Sequence, residues 1–102
     1  MQVLVIAKAL EGVSIEQISP LLKLEAAKVW EYYASGLVRT IHYIADMSGA
    51  VLLFEAPNVE VVNQSLAEFP MTKAGILKFE LLPLKPYVGI GELFSSQIYE
   101  QS

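Results

Sequence analysis

Residues 2–10 carry apolar side chains on a loose alternation and run into Glu11-Gly12, a pattern that predicts a strand closed by a turn. Ser14 with Gln17 three residues on forms a capping box, and Ser19-Pro20 forms a second helix start with proline at the first helical position. The helix predicted from there reaches about Ser35 and stops at Gly36. Residues 37–45 and 50–56 read as two strands joined by Asp46-Met47-Ser48-Gly49, a hairpin connection. Asn58 caps a second helix that runs to about Phe69 and is ended by Pro70. A fourth strand follows over 75–84, bounded by Pro83 and Pro86.

This order is β-α-β-β-α-β, the ferredoxin-like α+β arrangement of a four-stranded antiparallel sheet with both helices on one face. We place the domain over 1–85, with 86–102 as an extension. Ile90, Leu93, Phe94 and Ile98 stand there at helical spacing, so the extension reads as a short helix docking on its own or a partner subunit.

Counting by twos along the strands sorts the sheet into two faces. Val3, Val5, Ala7, Val38, Thr40, His42, Ile44, Leu52, Phe54, Leu77, Phe79 and Leu81 form the more apolar face, expected to meet the helices. The other carries Leu4, Ile6, Ile41, Tyr43, Val51, Leu53, Ile76 and Leu82 among Lys8, Arg39, Glu55, Lys78 and Glu80. A solvated face does not normally hold so many large aliphatics. A second copy packed sheet to sheet buries them and closes a barrel across two subunits, so the expectation is a homodimer, or a larger assembly of such dimers.

Composition sharpens that picture. Of the 102 residues, 54% are hydrophobic, yet no run approaches the roughly 20 apolar residues of a membrane span. The surplus therefore belongs in an interface. The first residues lack the basic region and cleavage site of a secretory signal, and there is no cysteine, which fits a reducing, cytoplasmic setting. A net charge of −4 with scattered lysines argues against nucleic acid as a partner. A single histidine without acidic neighbours at ligand spacing provides no metal site.

Glu25 is the residue with the most chemical content. On a helical wheel it falls near the centre of the stripe formed by Ile18, Leu21, Leu22, Val29, Tyr32 and Tyr33. A carboxylate aimed at a core loses solvation and its pKa rises, the setting of a general acid or base. A structural hydrogen bond to a buried partner is the other way to place it. His42, assigned by alternation to the helix-facing side with Thr40, would share a pocket with Glu25 between the two layers as a proton-transfer pair. Trp30, Tyr32 and Tyr33 form an aromatic box or, at helical spacing, a core stripe.

With those residues in view, the chain resembles the muconolactone isomerase-like branch of the dimeric α/β-barrel proteins. The likeness rests on Glu25, Gly36-Leu37-Val38-Arg39, Phe54-Glu55, Phe69-Pro70-Met71 and Lys78-Phe79-Glu80-Leu81, and spans about residues 1–85. It implies a cofactor-free isomerase that moves a proton across a small unsaturated lactone or related acid in a pocket between helices and sheet. Glu25 would act as acid/base with His42 or Arg39 assisting, and Thr40, Tyr33, Phe54 and Phe79 would contact the ligand. The chain departs from that branch at His42, where the enzyme has an aromatic residue, and after Pro86. Two alternatives stay open: a non-catalytic small-ligand or regulatory module, and haem binding through His42, since the same superfamily includes haem-degrading enzymes.

Overall fold

The computed structural model describes residues 1–94. Strand β1 (Gln2–Ala9) is followed by a short helix α1 (Ile15–Ile18), a 3-10 turn (Ser19–Leu21) and helix α2 (Leu22–Ala34). The hairpin β2 (Val38–Tyr43) and β3 (Gly49–Glu55) comes next, then α3 (Val59–Ala67), a one-turn helix α4 (Pro70–Lys73) and β4 (Leu77–Leu84). The sheet is antiparallel in the order β2-β3-β1-β4, which places β1 and β3 centrally.

The capping box forms as expected: the Ser14 amide donates to Gln17 Oε1 at 2.9 Å. Ser19, however, takes a helical backbone conformation, and Pro20 lies inside the 3-10 turn, so the main helix starts at Leu22. Asn58 caps α3 by accepting the Val61 N–H at 3.0 Å. Pro70 opens α4 as its first residue instead of only ending the helix before it. Pro83 lies within β4, which is tolerated because β4 is an edge strand. In the β2–β3 turn, Met47 adopts φ 63° and the Ser48 amide donates to Asp46 Oδ1 at 2.9 Å.

Val3, Val5, Val38, Phe54 and Val62 are wholly buried, with Leu52, Leu66 and Phe69 around them. Both α2 and α3 therefore lie on the face of β1 that carries Val3, Val5 and Ala7. On the opposite face, Leu4, Ile6, Val51 and Leu53 stay half-buried under one another and Leu82 is exposed. Ile76 does not belong to that face: it precedes β4 and is buried where the chain leaves α4.

One irregularity changes the sorting of β2. Val38 stands opposite Phe54, but Thr40 stands opposite Leu53, so Arg39 is the extra residue of a β-bulge. Beyond it the parity is inverted. Ile41 and Tyr43 pair with Leu52 and Ala50 of the helix-facing side, while Thr40 and His42 pair with Leu53 and Val51 of the uncovered side. The tail after β4 makes a 3-10 turn (Val88–Gly91). Ile98 of the expected docking helix lies outside the described residues.

Candidate functional site

Helix α2 rests on the core through Val29 and Tyr32 and has no fully buried residue. Tyr32 anchors it: its hydroxyl donates to the Ser65 carbonyl at 3.0 Å, and its ring meets Phe69 edge-on at 5.6 Å. The N-terminal part of the helix stands away from the sheet, which leaves a cleft of about 860 Å³. Its floor is Ala7, Ala9, Ala50, Leu77 and Phe79, small or apolar residues near one end of the strands. Its roof is Leu22, Glu25, Ala26, Val29, Trp30 and Tyr33. Small alanines on the floor are what let a cavity exist between two layers that would otherwise close on each other.

Glu25 lines this cleft from α2, half-buried, and its Oε1 accepts the Met71 N–H at 2.9 Å. Met71 is the second residue of α4, whose own preceding residue, Phe69, offers no side-chain cap. A carboxylate from α2 therefore satisfies a free donor at the start of α4. Burial pushes the Glu25 carboxyl above its ordinary range of about 4.5, and the Met71 hydrogen bond pulls the other way without cancelling it. The result is a carboxyl with one oxygen held and one left for the cleft.

Tyr33 and Phe79, expected as ligand contacts, line the cleft. Phe54 does not: it is wholly buried between Val3 and Val38 in the sheet ladder and is a core residue. Arg39, carried to the cleft edge by the bulge, donates from Nε to the Gly36 carbonyl at 2.8 Å, which orients its guanidinium and leaves the terminal nitrogens uncommitted among the described residues. Thr40 and His42 border the cleft along the edge strand, but their pairing with Leu53 and Val51 sets them with the uncovered face. The expected meeting of His42 with Glu25 between the layers is thus not made, because the bulge adds one residue and turns the alternation over.

The mouth is aromatic and open. Trp30 and Tyr33 have ring centroids 6.0 Å apart and are half or more exposed, and Tyr43 and Met47 flank the opening still more exposed. The Met71 amide was the component that sequence reading missed. Its signal was Phe69-Pro70, since proline at a first helical position announces a helix start whose amides need an acceptor.

No protein-family model and no curated protein sequence matches the chain. Among solved structures it is similar to the 5-chloro-2-hydroxyhydroquinone dehydrochlorinase of Burkholderia phenoliruptrix AC1100 in complex with 2,5-dihydroxybenzoquinone. That likeness has a TM-score of 0.71 and 21% identity over 83% of this chain and 94% of that one. It is also similar to muconolactone isomerase, with a TM-score of 0.72 and 19% identity over 86% of this chain and 92% of that one. At such identities the likeness carries the fold alone: a ferredoxin-like α+β domain with a four-stranded antiparallel sheet. Among the described residues, no helix is long and apolar enough to cross a membrane.

Proposed function

We propose that the protein catalyses cofactor-free proton transfer on a small unsaturated lactone or related oxygenated ring, with Glu25 as acid/base and Arg39 holding an anionic oxygen. The observation that carries this reading is a carboxyl with a raised pKa in a largely apolar cleft, oriented by one hydrogen bond. In the reaction Glu25, ionised, takes a proton from the saturated ring carbon at the far end of the double bond that is conjugated with the substrate carbonyl. The electron pair moves through the unsaturated system to the oxygen facing Arg39. The same carboxyl then returns the proton at the carbon beside the carbonyl, so the double bond moves and no oxidant or reductant is consumed. The compounds named with the two similar structures, a muconolactone and a dihydroxybenzoquinone, are rings of this kind.

The apolar residues of the uncovered face support a working homodimer, in which Leu4, Ile6, Val51 and Leu53 meet a second copy sheet to sheet. A second functional reading, a non-catalytic ligand module, is favoured by one fact: Glu25 already has a structural task as the acceptor for Met71.

The experiment exploits the single tryptophan, which lies at the cleft mouth. Muconolactone and 2,5-dihydroxybenzoquinone are titrated while Trp30 emission is followed, and turnover is read by substrate absorbance. The enzyme reading expects binding by both wild type and Glu25→Gln, with turnover in the variant reduced roughly 10²–10⁴-fold. Binding without turnover in the wild type supports the module instead.

A further inference from the structure

The floor of the cleft has a shape of its own. Across the sheet at one level, the strands present Tyr43, Ala50, Ala7 and Phe79 in that order. The bulge at Arg39 is what brings Tyr43 into this row, since without it Tyr43 would face the uncovered side. Two alanines thus lie between two aromatic residues whose strands are three spacings apart, roughly 14 Å. The floor is a long slot, low in the middle and walled at its ends.

One ring does not fill it. A lactone or quinone of about ten heavy atoms occupies at most about 300 Å³, counting each atom as generously as a molecule of liquid water. The cleft holds about 860 Å³, so roughly two-thirds of it is left over. Its border toward solvent is largely apolar, with Trp30 and Tyr33 from α2 and Tyr43 and Met47 from the β2–β3 hairpin.

Met47 is the unusual member of that border. Its φ of 63° lies in the left-handed region, which glycine or asparagine adopts at less cost. The turn itself is held by backbone and by Asp46: the Met47 N–H donates to the Ile44 carbonyl at 2.7 Å, and the Ser48 N–H to Asp46 Oδ1 at 2.9 Å. The Met47 side chain is 67% exposed, so the fold gains little packing from it. Strained backbone of this kind concentrates where ligands are held. A flexible, polarisable thioether at a cleft mouth can grip a flat apolar surface.

We infer that the cleft takes a molecule with two flat rings, one at Glu25 and the second over the Ala7 and Ala50 floor, and that Met47 sets this preference by gripping the second ring against Trp30 and Tyr33. The inference rests on the cleft being the reacting site proposed above and names the class of its substrate. That class is an oxygenated ring carrying a second flat ring, fused or attached.

Isothermal calorimetry tests it by comparing 2,5-dihydroxybenzoquinone, one ring, with 2-hydroxy-1,4-naphthoquinone, two fused rings, at one pH and one subunit concentration. Fusing the second ring adds about four carbon atoms, and at the usual yield per atom the wild type should bind the two-ring compound roughly tenfold more tightly. In Met47→Asn that ratio should fall to within about twofold, whereas Met47→Leu, which keeps the apolar bulk, should retain it. Asparagine tolerates the left-handed conformation, so the urea midpoint of Met47→Asn should match or exceed that of wild type. A ratio near one in the wild type overturns the inference and leaves the Glu25 reaction to its own assay with muconolactone. An unchanged ratio in Met47→Asn overturns the assignment to Met47, and a lowered midpoint does the same by giving its side chain a packing role. Binding of neither compound removes the cleft reading and this inference together.

Discussion

Replacing Glu25 separates its two tasks, because glutamine and alanine remove different things. Glu25→Gln keeps an acceptor for the Met71 N–H, now at 2.9 Å from Oε1, and abolishes the titration. Glu25→Ala removes the acceptor as well and leaves the start of α4 without a side-chain partner, a loss of about 0.5–2 kcal/mol for a cap of this kind. The sign of the pH dependence follows from burial. A folded-state pKa raised above the ordinary 4.5 means the folded protein holds the proton more tightly than the unfolded chain. The stability Glu25 contributes is therefore complete below about pH 4.5 and declines as pH rises through the raised folded value. Glu25→Gln, indifferent to pH at this position, should match wild type in acid and gain on it toward pH 7. Glu25→Ala should lie below the glutamine variant at every pH by roughly 1 kcal/mol, or about 4–8 °C in Tm for a domain of this size. Urea unfolding from pH 4 to 8 at one fixed subunit concentration measures this, since an associating protein gains apparent stability with concentration. If wild type instead gains on Glu25→Gln as pH rises, the carboxylate is a stabilised anion with a lowered pKa, and the argument for an acid/base in the cleft collapses.

Substitutions at three further positions probe the frame. Leu53→Lys, in the middle of the uncovered face, should shift light-scattering mass from two chains toward one while leaving the circular dichroism of the fold in place; an intact dimer would show that the face is not the interface. Gly49→Ala should cost about 1–3 kcal/mol in urea unfolding, because a β-carbon there overlaps the Ala7 carbonyl; an unchanged midpoint would mean that the hairpin end yields freely. Asn58→Ala should cost about 1 kcal/mol by removing the acceptor for Val61 N–H, and Asn58→Asp should largely restore it; equal loss in both would point away from capping.

The fold was readable because its signals are local and redundant. Alternation in β1, β3 and β4, the Ser14/Gln17 capping box and the Asn58 cap each fix one element, and the resulting order leaves few ways to form a sheet. The site was less readable because it depends on single-residue events. One bulge at Arg39 reverses which side Thr40 and His42 present, and nothing in Val38-Arg39-Thr40-Ile41 announces it. Phe54 has the parity of a cleft residue but lies toward the far end of the strand, in the packed part of the core. Glu25 was found because a carboxylate on an apolar stripe is a local anomaly. Its partner Met71, 46 residues on, is harder to read: Phe69-Pro70 marks a helix start whose amides need an acceptor, but nothing in the sequence says which side chain supplies it.

Proton transfer itself can be observed without knowing the natural substrate. Muconolactone is incubated in D₂O with wild type and with Glu25→Gln, and deuterium entering carbon positions beside the carbonyl is counted by mass spectrometry. Exchange is expected in the wild type at no less than about a hundred times the rate in the glutamine variant, the lower end of what a positioned acid/base supplies. Equal exchange in the two proteins, or a wild-type rate no faster than buffer, would contradict the assignment of the cleft and its carboxyl as a proton-transfer site.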